Sequence, residues 1–396
     1  MRFEKQIAFS DAEFERRLRV ARESADRRGL DGLLLFSPSN VYYLSGFFSV
    51  NLWDFQCLFV PISGEPVLIL REFETGRFQA SCRLPEPWTY PPEGSGPLAV
   101  AEAVRHFGYQ NRRLGVEMSR HLDAKSFALL REKLPDAELS DATDAVDEVR
   151  MVKSAEEIAY LRRAAKITAA GMRAALRAVK EGVADYEVAA EATRELLASG
   201  SDFMCIDPIV AAAHNAGLAH STASGIRVRS CDPVFVELGA CVGRYTAPLM
   251  RTAVAGHVSP ELQELADYSS RTLDALIAAI KPGIPACEVA VAGQRALAPI
   301  LSRIFFHYVW GYSVGVGFPP SWLEETNLFI QSNNSRELLP GMVFHLPHGV
   351  PPSAHAAGAG PIRRRVQRNR ARHSYRSRGA NGPDATTASG LMGREE

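Results

Sequence analysis

Two helix-start signals divide this chain of 396 residues into two parts. In SDAE at 10–13 and again in SAEE at 154–157, a serine precedes an amphipathic stretch and a glutamate follows three residues later, which is the pattern of a capping box. The first predicted helix ends at Gly29 and the second at Gly182, because glycine readily adopts the left-handed conformation at a helix C-terminus. Strand-like apolar runs follow each helix. The sequence therefore predicts two successive domains of helices and strands, with a boundary near 145–153.

The first predicted domain, 1–148, has the pattern of a small α/β unit. Phe9 and Phe14 stand at the positions of a hydrophobic staple around the first helix start. LDGLLLF then reads as a buried strand, SPSN at 37–40 as a turn, and the apolar runs within 57–70 as a hairpin. Alternating helices and strands favour a sheet covered by helices.

The second predicted domain, 149–350, continues with helices and longer strands, so the fold class is α+β. Its helical periodicity and its strand-rich stretches are separated by turn residues. Helices are predicted at 154–182, 185–198, 260–280 and 286–302, and strands at 207–212, 233–254 and in the segment that leads to 350.

Composition places the chain among soluble globular proteins, with 46% hydrophobic and 23% charged residues. No apolar run reaches the roughly 18 residues of a membrane span, and the first residues do not resemble a signal peptide. The six cysteines are scattered without a C-x-x-C pair, which is typical of reduced thiols. We therefore expect a cytoplasmic protein without a membrane partner.

The composition changes abruptly after residue 350. From 351 to 396 there are nine arginines, no lysine and three acidic residues, so the first 350 residues carry −6 and give no sign of nucleic-acid binding. Apolar periodicity stops in the middle of a predicted strand. This pattern is typical of a disordered tail or of a translation that has left its reading frame, and an arginine-rich arm for RNA or DNA is the alternative. We expect a second domain that is incomplete at its C-terminus.

Glu237 is the residue that packing explains least. VFV at 234–236 precedes it and LGAC at 238–241 follows it, so the whole neighbourhood is apolar. In a half-buried strand a carboxylate can simply face water. A buried carboxylate needs a partner, because its desolvation is costly. Glu237 is therefore either a solvent-facing strand residue or part of a functional site.

Other polar side chains of the second domain are candidates for the same site. Each has a structural alternative, because a lone histidine is more often a core or surface residue than a ligand. The glycines of GYSVGVG fit neither a P-loop nor a dinucleotide fingerprint, and H-x-x-H at 345–348 lacks a third metal ligand nearby. The candidates are His214, His220, Tyr245, Arg251, Tyr312, Trp322, His345 and His348.

Five stretches, in chain order, resemble the pita-bread hydrolases: creatinase, prolidase, aminopeptidase P and methionine aminopeptidase. VRMVKSAEEIAYLRRAAKI is similar to the first helix of their catalytic domain, and NVYYLSGF to part of their N-terminal domain. The stretches around His220, around Glu237, and from GYSVGVGFPPSW to PGMVFH complete the set. The resemblance covers about 9–350. It implies a creatinase-like N-terminal domain followed by a pita-bread catalytic domain.

The metal ligands of this family are missing from the matching positions. Its peptidases bind two metal ions through two Asp, one His and two Glu. The two Asp positions carry Glu237 and Pro248 here. The His position carries Tyr312 and the first Glu position Pro347, while the last Glu would lie beyond residue 350. Proline has no side-chain donor and tyrosine is a poor ligand for these metals, so the resemblance implies a site without metal or other cofactor.

A retained His220 with lost metal ligands resembles creatinase and, more closely, the ectoine-hydrolase branch of the family. The resemblance implies metal-independent hydrolysis of a C–N bond in a small amidine or guanidino compound. Such a substrate carries positive charge on the carbon that is attacked, whereas a neutral peptide needs a Lewis acid. Glu237 would be the ion partner or the nucleophile, and His220 the base and then the acid.

The implied substrate is a small zwitterion. Tyr312 and His345 would hydrogen-bond it, and Trp322 or Trp53 would cover its cationic face. Arg251 would pair with its carboxylate, unless the guanidinium forms an internal ion pair instead. Tyr245 completes the predicted substrate-binding set of the catalytic domain.

Creatinase-like dimers imply a homodimer in which the N-terminal domain of one subunit borders the site of the other. Trp53 and Phe55 are the candidates for that contribution. Two other functions stay open: a metal-dependent Xaa-Pro peptidase, and a non-catalytic binding module, since relatives without metal ligands include histone chaperones. The retained Glu, His and Tyr side chains favour an enzyme, because a decayed site would fill with apolar residues.

The missing ligands lead to a first prediction. Purified protein is expected to contain no stoichiometric manganese, cobalt or zinc, because prolines occupy two of the ligand positions. Elemental analysis measures this, and addition of a chelator is expected to leave the melting temperature unchanged. Two bound metal equivalents would contradict the prediction.

Overall fold

The structure, a computed structural model, describes residues 5–304, 306–324 and 328–347. Within these ranges two sheets flanked by helices follow one another along the chain, which confirms the predicted α+β class. The helices are α1 (Asp11–Arg27), α2 (Pro38–Ser45), α3 (Thr75–Ser81), α4 (Gly96–His106), α5 (Ala124–Lys133), α6 (Asp144–Met151), α7 (Ala155–Ala178), α8 (Asp185–Ala198), α9 (Pro260–Ala279) and α10 (Ala286–Leu297).

The strands fall into two groups, before and after α7. Those of the first group are β1 (Gly32–Leu35), β2 (Cys57–Pro61), β3 (Val67–Arg71), β4 (Trp88–Tyr90), β5 (Arg113–Val116) and β6 (Glu138–Asp141). Those of the second are β7 (Ile209–Ala212), β8 (Pro233–Val242), β9 (Tyr245–Val254), β10 (Gly311–Phe318), β11 (Ser321–Leu323), β12 (Phe329–Ile330) and β13 (Phe344–His345).

The first sheet has the order β4-β3-β2-β1-β5-β6, with β1 antiparallel to β2 and parallel to β5. Its central strand is apolar throughout because both of its faces are covered. Leu33 and Leu35 pack in one cluster with Phe14, whereas Leu34 packs in another with Val100. The predicted hairpin is β2–β3.

The second sheet is antiparallel and runs β11-β10-β9-β8-β7, with β12 and β13 also paired to β10. Val234, Val236 and Leu238 alternate along β8 and pack with Met172 of α7 and Val188 of α8. The helices therefore cover one face of the β8–β9 hairpin. Side chains at the odd-numbered positions of β8 project to the other face.

Both predicted helix starts exist, with one difference in the contacts. Ser154 and Glu157 form the reciprocal capping box of α7. At α1 the Ser10 hydroxyl accepts from the Glu13 N–H, but the carboxylate that returns to the Ser10 N–H belongs to Glu156. Glu13 does not complete the first capping box, because its carboxylate accepts hydrogen bonds from Arg16 and Arg17. The contact of Ser10 with Glu156 instead joins α1 to α7.

The prediction of a turn at SPSN was wrong. Ser37 is the N-cap of α2, and its hydroxyl accepts from the N–H of Asn40. Pro38 occupies the first helical position, where its missing N–H has no consequence. These residues are common to turns and to helix starts, so composition alone does not separate the two.

A buried arginine connects the two parts of the fold. Arg17 of α1 has no exposed side-chain surface, and it bonds Glu13 at 2.8 Å and the hydroxyl of Tyr245 in β9 at 3.2 Å. The same hydroxyl donates to Glu157 of α7 at 2.6 Å. The Arg17 guanidinium also lies 4.0 Å from the ring centre of Phe9. The Tyr245 hydroxyl thus both accepts and donates a hydrogen bond, so the side chain is buried without an unpaired polar group.

A second buried ionic cluster joins α6 to the strands of the second sheet. Lys153 donates to Glu324 at 2.6 Å and to the Ser313 hydroxyl at 3.2 Å. Arg150 lies 3.7 Å from the same glutamate and donates to Asn40 at 2.9 Å. Charges that are this deeply buried require partners of opposite sign.

Three parts of the sequence interpretation are not tested by the structure. The arginine-rich tail and His348 fall outside the described residues, and the domain boundary at 148 stays a prediction. In the described ranges, no helix is both long and apolar enough to cross a membrane.

The two ion pairs of α1 make a matched stability test. Arg17–Glu13 and Arg19–Glu23 have the same spacing and similar distances, 2.8 and 2.7 Å, but the arginines are 0% and 63% exposed. Arg17→Met is expected to lower the free energy of unfolding by roughly 3–5 kcal/mol, because it removes the fully buried charge that faces Glu13 and Glu157 and leaves them only the partly exposed Arg16. Arg19→Met is expected to change it by about 1 kcal/mol or less. Equal effects in urea titrations would contradict a buried role for Arg17.

Candidate functional site

Glu237 projects from β8 toward the face that the helices leave open. It lies opposite Met250 of β9 and Ile209 of β7 in the antiparallel register. Its side chain is 14% exposed, which is far less than expected for a carboxylate that faces water. The solvent-facing interpretation of Glu237 is therefore wrong, and its partner becomes the central question.

The partner is an imidazole from the end of the described chain. His345 Nε2 lies 3.4 Å from Glu237 Oε1, and the His345 side chain is 6% exposed. Strand β13 pairs with β10, and this register sets His345 directly beside Tyr312. The two rings meet edge to face with their centres 5.3 Å apart. Pairing between strands thus joins residues that are 108 positions apart in the sequence.

The Nε2 atom of His345 is buried and makes no hydrogen bond with any group of the described ranges. The contact with Glu237 has the distance of an ion pair but not the alignment of a hydrogen bond. A buried polar atom of this kind is normally satisfied by a water molecule or a ligand. The Nε2 atom of His345, beside Glu237, is therefore a polar atom to which a small polar molecule would form a hydrogen bond.

Tyr312 and Trp322 form the aromatic side of the site. The indole Nε1 of Trp322 donates to the Tyr312 hydroxyl at 2.9 Å, and Trp322 is 2% exposed. Burial, together with the nearby negative charge of Glu237, raises the pKa of Tyr312. The tyrosine therefore stays a neutral hydroxyl that can still donate its proton to a ligand.

Two predicted substrate contacts lie on the opposite face of the same hairpin. Arg251 pairs with Val236, and Tyr245 with Val242, so both alternate with the positions that share a face with Glu237. Arg251 is exposed and donates to the carbonyl of Met250, and Tyr245 belongs to the buried Arg17 cluster. The arrangement does not support a shared substrate contact with Glu237, because one residue of register reverses the side-chain direction.

His220, the predicted base, lies on an exposed loop after the short 3-10 helix Ala213–Gly217. Its backbone φ is 59°, a left-handed conformation that is uncommon for histidine. In the described part of the chain it makes no hydrogen bond with Glu237 or His345. Its charge instead adds to burial in lowering the pKa of His307. His214 is also exposed.

Trp53 and Phe55 have different surroundings in the first domain. Trp53 is 81% exposed, whereas Phe55 packs edge to face on Phe36 with the ring centres 5.6 Å apart. Phe55 is thus part of the domain core. Trp53 is available at the surface.

The floor of the site contains residues that the sequence did not single out. Thr246 and Cys241 face each other across β8 and β9, on the same side as Glu237, and Cys205 packs against them. Two-residue alternation from Glu237 through Gly239 to Cys241 is the signal that identifies this face. The cysteine at 205 has no such signal, because it reaches the sheet from a loop.

The donor set does not fit a two-metal centre. Pro248 lies diagonally across the hairpin from Glu237, at the position paired with Gly239, and offers no side-chain donor. The Tyr312 oxygen accepts a hydrogen bond from Trp322 and stays protonated. Three His, Cys, Asp or Glu side chains close enough to hold an ion do not occur among residues 5–304, 306–324 and 328–347.

Comparisons with known proteins agree with this fold. The model of metallopeptidase family M24 matches residues 159–364, and that of the creatinase/prolidase N-terminal domain matches 17–152. Ectoine hydrolase of Halomonas elongata is 28% identical over 372 residues, which cover 87% of this chain and 90% of the relative. The uncharacterized peptidase YqhT of Bacillus subtilis is 30% identical over 325 residues, 81% of this chain and 87% of the relative.

The fold is also that of solved structures. A prolidase from Thermococcus sibiricus superposes with a TM-score of 0.76 at 21% identity, over 85% of this chain and 90% of that one. The two sheets, their order along the chain and the matches of both domain models agree with the predicted architecture of a creatinase-like domain followed by a pita-bread domain. The chain therefore belongs to metallopeptidase family M24.

Proposed function

We propose that this protein is a metal-independent hydrolase that cleaves a C–N bond in a small amidine or guanidino compound. The observation that carries the proposal is the buried carboxylate of Glu237 beside the unsatisfied Nε2 of His345. A cationic planar group that contacts both side chains gains an ion pair with Glu237 and a hydrogen bond with His345. The aromatic rings of Tyr312 and Trp322 add a surface that favours a cation.

The chemistry follows from the charge of the substrate. The amidine carbon of a cationic substrate is already electrophilic, and Glu237 holds that cation while water adds to the carbon. A base takes one proton from the water, the C–N bond breaks, and an acid returns a proton to the leaving nitrogen. An amide and an amine result, and the net consumption is one water molecule.

His345 is the proton carrier that we favour, because its Nε2 is the imidazole nitrogen next to Glu237. Proton transfer requires contact with the reacting groups at about 2.6–3.2 Å, directly or through one water. His220, which the sequence favours, stays a second proposal, and variants of both histidines distinguish the two.

The relative from Halomonas elongata supports this choice of substrate class. Its name describes hydrolysis of ectoine, and the similarity extends over both domains of this chain. We propose ring opening of an ectoine-like cyclic amidine as the reaction. An Xaa-Pro peptidase activity is not favoured, because Pro248 and Tyr312 replace the donors that polarise a neutral peptide carbonyl.

We also propose that the protein acts as a cytoplasmic homodimer. Trp53 is 81% exposed, and Val50 and Phe73 on neighbouring surface segments are 67% and 82% exposed. The loop that carries Trp53 is held in place, since Asn51 donates to Asp54 at 2.6 Å. We propose that a second copy buries these side chains and that Trp53 then lies at the rim of the partner's site, as the resemblance to creatinase-like dimers implies.

The test compares turnover of ectoine, hydroxyectoine, creatine and a proline dipeptide by Glu237→Gln and the parent protein. Glu237→Gln keeps the size of the side chain and removes its charge, so kcat for the amidine substrate is expected to fall by roughly 10²–10³-fold. His345→Gln is expected to have a similar effect, and the double variant to be far less than additive. The parent pH–rate profile is expected to lose one limb in whichever histidine variant removes the proton carrier.

The control is Glu264→Gln, which changes a carboxylate paired with Arg303 at 2.8 Å on the surface. It is expected to leave kcat unchanged. Parent-level turnover by a folded Glu237→Gln protein would disprove the catalytic role. Hydrolysis of the proline dipeptide alone would show an Xaa-Pro peptidase, and tight binding without turnover by the parent would show a binding module.

A further inference from the structure

A pair of thiols lies beneath the aromatic side of the site, and the proposed hydrolysis does not use it. Cys205 and Cys241 are free and are 2% and 0% exposed. Both pack with Trp322 in one buried cluster. Cys241 shares its face of β8 with Glu237, and only Gly239, which has no side chain, stands between them on that face. The thiols therefore adjoin the floor of the site.

The backbone holds the two cysteines in a fixed relation. The N–H of Asp202 donates to the carbonyl of Cys241 at 2.7 Å. The N–H of Cys241 in turn donates to the Ser201 hydroxyl at 3.0 Å. The loop that carries Cys205 is thus fastened to the strand at Cys241 itself.

The sulfur of Cys205 is surrounded by groups that stabilise a thiolate. The Thr246 hydroxyl lies at 3.1 Å and Nη2 of Arg244 at 3.7 Å. A hydrogen bond from the Cys241 thiol and the charge of Arg244 outweigh burial and lower the pKa of Cys205 to about 7. Burial raises the pKa of Cys241, so Cys205 is the cysteine of the pair that ionises near neutral pH while Cys241 stays a thiol. A thiolate next to a thiol is the arrangement of a reactive and a resolving cysteine.

We propose that Cys205 and Cys241 form a disulfide when a small peroxide enters the site. The Cys205 thiolate attacks one peroxide oxygen, an S–O bond forms, and the O–O bond breaks with release of hydroxide. The Cys241 sulfur then displaces the oxygen from Cys205, and that oxygen leaves as water with the thiol proton. Two thiols are oxidised and one hydrogen peroxide is reduced to two waters.

The disulfide is expected to disturb the aromatic side of the site. A Cβ atom on Gly317 of β10 would lie 2.6 Å from the Cys205 sulfur, so β10 leaves that sulfur little free space. A bond to Cys241 requires the sulfur to move within a packed cluster that includes Trp322. Oxidation therefore changes the surroundings of the indole that donates to Tyr312.

The test treats the full-length protein with hydrogen peroxide and maps its cysteines by mass spectrometry under non-reducing conditions. The expected result is a peptide pair linked through Cys205 and Cys241, with loss of two hydrogen atoms, that dithiothreitol reverses. Fluorescence of the parent is expected to change with the same time course, and the change is expected to disappear in Trp322→Phe.

Cys231→Ser is the matched control, since Cys231 is the exposed cysteine of the chain's described part. It is expected to retain the linked peptide pair, which Cys205→Ser and Cys241→Ser are expected to lose. The mapping of the parent protein decides the question even if those two variants fail to fold. The proposal is overturned if both thiols remain open to alkylation in denaturant after Cys231 has been oxidised, or if Cys205 links to another cysteine. None of these readouts depends on the hydrolytic activity.

Discussion

The buried ion pair between Lys153 and Glu324 is the interaction on which the site depends. Glu324 directly follows β11, which carries Trp322, and Ser313 directly follows Tyr312 in β10. Both contact the Lys153 ammonium, and the Ser313 hydroxyl also donates to Glu324. Removal of the Glu324 charge would leave the Lys153 ammonium buried without a counter-charge, at a cost of several kcal/mol. Lys153, which lies shortly after α6, therefore fixes the two strands that position Tyr312 and Trp322.

Local signals in the sequence predict where most helices and strands begin and end, but not which distant residues they contact. Ser154 and Glu157 are three residues apart, and both halves of that capping box formed as predicted. Ser10 and Glu13 have the same spacing, yet the Ser10 N–H donates to Glu156 instead of Glu13. The Glu13 carboxylate accepts hydrogen bonds from Arg16 and Arg17. A local sequence pattern shows which contacts nearby residues can form. The long-range contacts of the buried Arg17 determine which of them Glu13 does form.

The candidate site shows even more clearly that local sequence patterns do not predict which distant residues meet. Glu237 was identified because a carboxylate in an apolar run conflicts with packing, and its burial agrees with that argument. Its contact with His345 depends on the pairing of β13 with β10, which no short stretch encodes. Arg251 was chosen for its charge, but its place in the register sends it to the other face. Residue type can be read from a single sequence, and side-chain direction follows only when the strand register is known.

The proposed metal-independent hydrolysis requires that another charge take the place of the metal ions that the family's peptidases use. Pro248 and Tyr312 remove donors, while Glu237 keeps a negative charge at the centre of a site that is now largely apolar and aromatic. In such surroundings an isolated carboxylate is unfavourable, and a cation that enters relieves the penalty. The site then favours a substrate that brings its own positive charge over one that relies on a Lewis acid. Under the proposed function, the desolvation of Glu237 would select amidinium compounds over neutral peptides, and His345 would supply the hydrogen bond that orients the cation.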